Sequence, residues 1–458
     1  MDVAERLRSV CGDVSTDPDD LSESAGDRWA MASEAARRPE AVARPRTAPE
    51  VAAVLAACSD AGVPVTPAAG RSGVCGGAMP VHGGVVLDLR GLAGLAAVDD
   101  VSLVADMGAG TFGDVLEAEL REGHGLTLGH RPQSVAISTV GGWLACRSAG
   151  QYSTRYGKIE DMAVGLDVAL ADGRVVHTGG APRAATGPDL TQLFVGSEGT
   201  LGVITGARLR LHPAPPVERR TAYRFDTFAG GIEACRRILR RGATPAVLRL
   251  YDVAESQQSF DEPGNLLVVL DEGDDLLVDA TMAVVGEECT GNAAEELGQG
   301  PVDRWMTHRD DAHDVDDLAR LVLVGDTMEV AVRWSAAAEL YETVTSALRK
   351  VEGTVWASSH LSHAYGDGAC LYFSLAGRGA GWYVAAWNAG AAAVLASGAA
   401  LSHHHGVGLA KARFLPAALG TAHGMLADLK RALDPAGVLN PGKLGLPSPF
   451  GDAGWPRS

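Results

Sequence analysis

The chain has 458 residues, more than one hydrophobic core comfortably serves, and its 46% hydrophobic and 21% charged residues are those of an ordinary globular protein of two or three domains. A formal net charge of −18 opposes non-specific attachment to nucleic acid or to an anionic membrane surface. The first residues lack the apolar core of a signal peptide and no run is apolar enough to span a bilayer, while seven scattered cysteines without a C-x-x-C pair fit reduced thiols, so a cytoplasmic protein is expected.

In chain order, residues 1–40 read as a helical lead-in with an acidic loop, "STDPDDLSESAGD". "TAPEVAAVLAACSDAGVP" joins a threonine cap, a proline in the first turn and helical apolar spacing, which predicts a helix. Strand-like runs follow at 85–89, 102–107, 163–179 and 202–213, the third carrying Asp172-Gly173 between alternating apolar positions, a hairpin signal. Helical "GDVLEAELREG" (113–123) lies among them. Residues 41–215 thus read as an α+β nucleotide-binding domain, closed by the Pro-rich "HPAPPVE" (212–218). "FAGGIEACRRILRRG", "LLVVLDEG", a helix near 335–350 and "GACLYFSLAG" predict a second α+β domain over 216–425, for substrate. The segment 426–458 begins as a helix ended by Asp-Pro and is expected to return to the first domain.

Several stretches carry candidate chemistry. "GAGTFG" (108–113) fits the dinucleotide pattern G-x-G-x-x-G, but the acidic residue due about twenty positions later is missing. A strand-to-helix turn that needs small residues is the better reading. "PAAGRSGVCGG" (67–77) follows a strand-like run and suits a pyrophosphate cradled by backbone N–H groups, with Arg71 adding charge. "RPQSVAISTVGGWLACRSAG" (131–150) and "VGSEGTLGVIT" (195–205) are two further small-residue stretches. Three such segments in one domain point to a long cofactor. "LSHHHGVG" places His403, His404 and His405 side by side. A metal site there needs ligands from other elements, which His360 and His363 could supply, because neighbours on an extended segment face opposite ways. No metal is expected; imidazoles titrating near neutrality suit proton transfer instead.

"PAAGRSG", "QSVAISTVGGWLACRSAG", "YGKIEDMAVGLDVALADGRVV" and "TGPDLTQLFVGSEGTLGVIT" together resemble the FAD-binding domain of the vanillyl-alcohol oxidase/p-cresol methylhydroxylase (PCMH) superfamily. "STVGGW", "GKIEDM", "GSEGTLGVIT" and "LSHHHGVG" are most similar to its alkylglycerone-phosphate synthase branch, and the resemblance runs from Arg44 to Lys443. It implies a PCMH-type FAD-binding domain, an α+β substrate cap domain and a C-terminal segment returning to the FAD domain. It also implies FAD contacts at Pro67, Ala68, Ala69, Gly70, Arg71, Ser72 and Gly73; at Gln133, Ser134, Ser138, Thr139 and Gly142; at Ala145, Cys146, Arg147 and Ser148; and at Glu198, Gly199, Gly202, Val203 and Ile204. Relatives that tether the flavin use a histidine or a cysteine at places where this chain has Arg71, Ser134 and Val135, so non-covalent FAD is expected.

In the second domain the resemblance implies catalytic roles for Tyr372 and for His403, His404 and His405, and substrate binding by Arg249. Read alone, Arg249 could equally form an ordinary salt bridge to Asp252 or Glu255. Where the synthase branch has a substrate-binding arginine, this chain has His360, and its middle is acidic ("LDEGDDLLVDA", "HRDDAHDVDD"), which would repel a phosphate. The expectation is therefore an FAD-dependent oxidoreductase acting on a small molecule, by hydride transfer to flavin N5 or by adduct formation there. The alternatives are a synthase-like, redox-neutral acyl-to-alkyl exchange, a flavin-binding protein without turnover, and a Rossmann NAD(P) enzyme resting on "GAGTFG" alone. The expected partners are a small-molecule substrate and, as a possible assembly, a second copy in a homodimer.

Overall fold

The computed structural model describes residues 3–311, 323–379 and 381–455; residues 312–317 of the acidic middle stretch lie outside the described residues. Two larger sheets and a two-stranded one, Leu126–Thr127 with His212–Pro213, build the N-terminal half. The first of the larger two runs Val14–Ser15, Ala41–Ala43, Val85–Asp88, Val65–Ala68, with the last three strands mutually parallel. Parallel neighbours need a crossover, and the helix Ala48–Ala61 supplies it. Thr47 accepts the Glu50 N–H at its start and Gly62, at φ 62°, ends it in the left-handed region. The lead-in departs from an all-helical reading, since Val14–Ser15 pairs with the strand after it and so joins this sheet.

The second sheet, Leu95–Asp99, Val104–Gly108, Val203–Arg210, Ala163–Ala169, Val175–His177, is antiparallel throughout. Its last pair is the expected Asp-Gly hairpin, with Gly173 at φ 84°. "GAGTFG" leaves the strand Val104–Gly108, which has antiparallel neighbours on both sides and therefore no parallel βαβ unit for a dinucleotide. Its glycines answer to packing instead. A Cβ on Gly108 would lie 2.0 Å from the Leu92 carbonyl oxygen, and one on Gly113 would lie 2.4 Å from the Trp143 ring.

A seven-stranded antiparallel sheet forms the other half, ordered Glu295–Gly298, Val217–Phe225, Asn265–Gly273, Val247–Tyr251, Thr354–Ala364, Gly368–Gly377, Val324–Arg333. Both faces are covered, so its central strand "NLLVVLDEG" is an apolar run without polar alternation. Leu267 and Val269 face one core with the helices Phe228–Arg240, Trp334–Arg349 and Trp382–Ala396; Leu266, Val268 and Leu270 face another, shared with the first half. The C-terminal segment returns to the first half. Val65 donates its N–H to Val438 and accepts from Asn440, and Lys430 donates to the Thr200 carbonyl at 2.8 Å. The architecture is α+β, as the sequence implies.

Two glycines of the helix Gly113–His124 separate packing from propensity. Gly113→Ala is expected to lower unfolding stability by about 1–3 kcal/mol through the clash with Trp143. Gly123→Ala, with nothing within 4 Å of its new methyl, should raise it by up to about 1 kcal/mol. Denaturant unfolding of the two variants checks both signs.

Candidate active site

Glu198 is the meeting point of the glycine-rich segments. Its backbone, at φ 50°, donates to the Ala145 carbonyl at 3.0 Å. Its buried carboxylate accepts the N–H groups of Val407 (2.6 Å) and Gly408 (2.7 Å), the turn that follows the histidines. Gly199 abuts Pro67, and a Cβ on Gly77 would stand 3.6 Å from the Glu198 carboxylate. Asn440 of the returning segment bridges the carbonyls of Gly77 and Glu198, and the buried Lys443 donates to that of Met79. The segments 67–77, 145–148, 198–199 and 406–408 thus close around one place. The Glu198 side chain is a clamp between two halves of the molecule, which leaves its main chain as the part available to a cofactor.

Around this clamp the chemistry fits FAD. Gly70 packs so tightly on the Ile137 carbonyl that a Cβ would lie 2.1 Å from its oxygen, which aligns the first loop with the second segment. Arg71, at φ 49°, carries Nε and Nη2 into the interior without a partner among the described residues, and Gly73 is covered by the lead-in through the Arg28 N–H. A buried guanidinium in a glycine loop suits an anionic pyrophosphate. Ala68, Ala69 and Ser72 belong to the same strand and loop. In the second segment Ser138 takes the Trp143 indole N–H at 2.7 Å and donates to the Ser134 carbonyl, while Thr139 caps the helix Val140–Cys146 through Gly142. Ser148 closes that helix onto the Trp143 carbonyl.

Other predicted contacts are engaged elsewhere. Gln133 is exposed and donates to the Asp311 carbonyl, and the Arg147 side chain reaches Glu160. Val203 and Ile204 are core residues, and Gly202 lies against Val168. Cys146 is half-buried near Gly406, and desolvation pushes its thiol far up.

The histidine loop is organised by one carboxylate. Glu329 is completely buried, and its Oε1 accepts the successive N–H groups of His403 (3.2 Å), His404 (3.2 Å) and His405 (2.8 Å), together with the Ser402 hydroxyl (2.5 Å). Its Oε2 is paired with the equally buried Lys411. Converging N–H groups of this kind bind anions, and here the anion comes from the sheet. The loop therefore curls instead of extending, and the rings that an extended chain would point apart are gathered, 5.2 Å between the centroids of His403 and His404 and 4.4 Å between those of His404 and His405. His363 joins them at 5.0 Å from both His403 and His404. One ligand atom from each of His363, His403 and His404 falls within 4.8 Å of the others, a spacing that a shared cation would also require.

Register sets the rest. Tyr251, His360, Tyr372 and Glu329 are successive cross-strand partners in four adjacent strands, so they lie in one row on one face. His360 stacks on Tyr372 at 4.8 Å, and Tyr372 meets His405 edge-on at 5.6 Å. Arg249, two residues before Tyr251, is 2.9 Å from His360. Among the described residues it has no carboxylate partner: Asp252 holds the Ser359 N–H and Glu255 holds His360, so the ordinary salt bridge does not form. Sequence reasoning missed Glu329, Lys411, Glu255 and Ser153, whose hydroxyl is 2.7 Å from His363 and 3.1 Å from Tyr365. An acid inside the otherwise apolar "MEVAV" was the legible signal for Glu329.

Residues 39–179 match the family described as FAD binding domain, and residues 214–444 match FAD linked oxidases, C-terminal domain. The chain belongs to the FAD-linked oxidase family. FAD is its cofactor. The alkyldihydroxyacetonephosphate synthase of Dictyostelium discoideum is 29% identical over 449 residues, 89% of this chain and 73% of that protein. Glycolate oxidase subunit GlcD of Bacillus subtilis is 27% identical over 461 residues, 97% of this chain and 96% of that one. Among solved structures, an alkyldihydroxyacetonephosphate synthase superposes with a TM-score of 0.81 at 25% identity, over 96% of this chain and 85% of that one. p-Cresol methylhydroxylase shares the fold, with a TM-score of 0.76 at 19% identity over 97% and 96% of the two chains.

Burial rewrites the electrostatics expected of this site. It pushes the Tyr372 phenol up, and His360, His363, His403 and His404 below the ordinary histidine value, with His405 brought to about 4. The imidazoles are thus neutral at neutral pH instead of poised near it. Burial also opposes the Glu329 carboxylate, but Lys411 and His405 outweigh it and hold that group below the usual carboxylate range. No helix among the described residues is long and apolar enough to cross a membrane.

An imidazole whose folded pKa lies below its unfolded value takes its proton more readily in the unfolded chain. Its contribution to stability is therefore full above about pH 6.5 and is lost as pH falls toward 4. Stability is expected to decline between pH 7 and 5, and His405→Asn should flatten that slope by on the order of 1–3 kcal/mol. Unfolding free energies measured across that range check it, a slope unchanged in the variant being the contrary result.

Proposed function

We propose that the chain oxidises a small-molecule alcohol or hydroxy acid, with FAD bound non-covalently. The observation that carries this reading is the row Tyr372–Glu329 with its curled histidine loop, tied by Glu198 to the glycine-rich segments that suit FAD. Bound FAD supplies the two-electron acceptor. A neutral imidazole of His404 or His405 takes the hydroxyl proton of the substrate; burial leaves the ring uncharged and free to accept, and makes it a weaker base than a solvated histidine. Tyr372, kept as a phenol by burial, donates a hydrogen bond to the same oxygen and steadies the charge that develops there. Arg249 orients the anionic end of the substrate. In this reading the histidines move protons and hold no metal, a role supported by the Nδ1 atoms of His403 and His404, 3.0 Å apart, which can share a proton as donor and acceptor.

A second reading, the redox-neutral exchange, is favoured by the likeness to alkyldihydroxyacetonephosphate synthases. His360 counts against it, since a neutral imidazole engaged on both nitrogens cannot replace a phosphate-binding guanidinium.

Anaerobic mixing with a panel of alcohols and 2-hydroxy acids is expected to bleach the visible flavin band, whereas an exchange product formed without bleaching would favour the second reading. Tyr372→Phe should lower turnover by about 10²–10³-fold while retaining bound flavin. Acid precipitation should release the yellow cofactor, and dialysis against a chelator should leave turnover unchanged. Flavin retained in the pellet, or activity lost on chelation, would contradict the corresponding assignment.

A further inference from the structure

His360 occupies a row of the sheet that faces the site, yet neither of its ring nitrogens is left for a substrate. Nε2 is 2.9 Å from Nη2 of Arg249, and Nδ1 is 2.6 Å from Oε2 of Glu255. The donors and acceptors follow from the groups themselves. A guanidinium has only donors, so Nε2 accepts; a neutral ring that accepts at Nε2 carries its proton on Nδ1 and donates it to the carboxylate. Glu255 is itself fixed, because its Oε1 takes the hydroxyls of Ser358 and Ser374, each at 2.9 Å. It stands in the first turn of the helix Val253–Phe260, whose cap Asp252 accepts the N–H of Glu255 at 3.0 Å and, with its other oxygen, that of Ser359 at 2.8 Å. The helix start is thereby docked on the strand that carries His360. The imidazole is further clasped between the rings of Tyr251, 5.1 Å away, and Tyr372, 4.8 Å away.

At the far end of this chain of contacts, the Arg249 guanidinium lies 5.7 Å from the Tyr251 ring and 5.8 Å from that of Trp305, with its Nε buried and without a partner among the described residues. A carboxylate bonded to it directly would orient it but cancel its charge. A neutral imidazole that takes one N–H of the five orients it and leaves the charge and the remaining donors for something else.

We infer that Glu255 is a positioning residue: acting through His360 as a neutral acceptor, it aims the Arg249 guanidinium at an oxyanion of the substrate. This rests on the reading of Arg249 as the substrate anchor. It gives the histidine that replaces the synthase arginine a different task, since a second guanidinium at 360 would be an independent anchor whereas His360 serves the one already present.

Calorimetric titration of the holoenzyme with inorganic phosphate, acetate and glycolate tests it. Each variant is first compared with the parent for flavin content and melting temperature. Arg249→Gln is expected to abolish the binding of at least one of the three anions. Glu255→Ala should weaken that same binding about tenfold, whereas Glu255→Gln, which keeps an acceptor for the Nδ1 proton, should stay within about threefold. His360→Phe keeps the aromatic stack and loses both hydrogen bonds, so it should match Glu255→Ala and stands in for it if that variant folds poorly. In the double variant Glu255→Ala/Arg249→Gln, no loss beyond that of Arg249→Gln is expected. If Glu255→Ala and His360→Phe bind the anion like the parent while Arg249→Gln does not, the positioning role is overturned and the anchor stands. Parent-like binding by Arg249→Gln, or no binding by the parent, overturns both.

Discussion

A carboxylate buried among backbone N–H groups is the interaction on which the site depends. Glu329 projects from the edge strand of the large sheet and gathers three consecutive peptide N–H groups, a serine hydroxyl and a lysine. Without this internal anion the segment 402–406 would keep only its own short contacts, Ser402 with the Gly406 carbonyl and His403 with His404, and three successive N–H groups would lose their acceptor. Removing either partner of a buried pair of this kind costs about 3–5 kcal/mol, as it strands a charge in a medium that cannot solvate it. That penalty, paid by no surface ion pair, is what makes the loop conformation single.

Glu198 repeats the device from the other side. It too gives a buried carboxylate to consecutive N–H groups, those of Val407 and Gly408, so the loop carrying the histidines is held at one end by the sheet of the second half and at the other by a cofactor segment of the first. Two anions inserted into one backbone turn fix the distance between the histidines and the glycine-rich segments without a covalent link. The same burial that makes these carboxylates effective strips the neighbouring imidazoles of their protons and keeps Tyr372 protonated. In the proposed reaction these neutral rings accept a proton beside one phenolic donor, and formal positive charge toward the substrate is left to Arg249.

Legibility followed the range of the interactions. The helix Ala48–Ala61, the hairpin at Asp172-Gly173 and the helix Trp334–Arg349 are all written in local spacing and caps, and they form where that spacing places them. "GAGTFG" was read correctly as a turn because the missing acidic residue is also a local fact. The short strand Val14–Ser15 was invisible, as its pairing with Ala41–Ala43 lies far along the chain. At the site, residue types and their resemblance named the histidines, Tyr372 and Arg249, but not how they are charged. Val203 and Ile204 follow a glycine-rich segment in sequence, and their side chains enter two different cores, a division set by the strand's two faces.

The sequence by itself determined the α+β architecture, because caps and hairpin turns act within a few residues and keep their meaning in any context, and its resemblance to a known family named the family and the cofactor. Tertiary structure decided the chemistry of the site: which carboxylate holds the histidine loop, which nitrogen of His360 accepts, and on which side of neutrality the imidazoles titrate. Those properties arise from burial and from partners more than a hundred residues apart, Glu255 with His360 and Glu198 with Val407 among them. Desolvation and long-range hydrogen bonding have no local signature, so they become readable only when the strands are in register and the loop is closed.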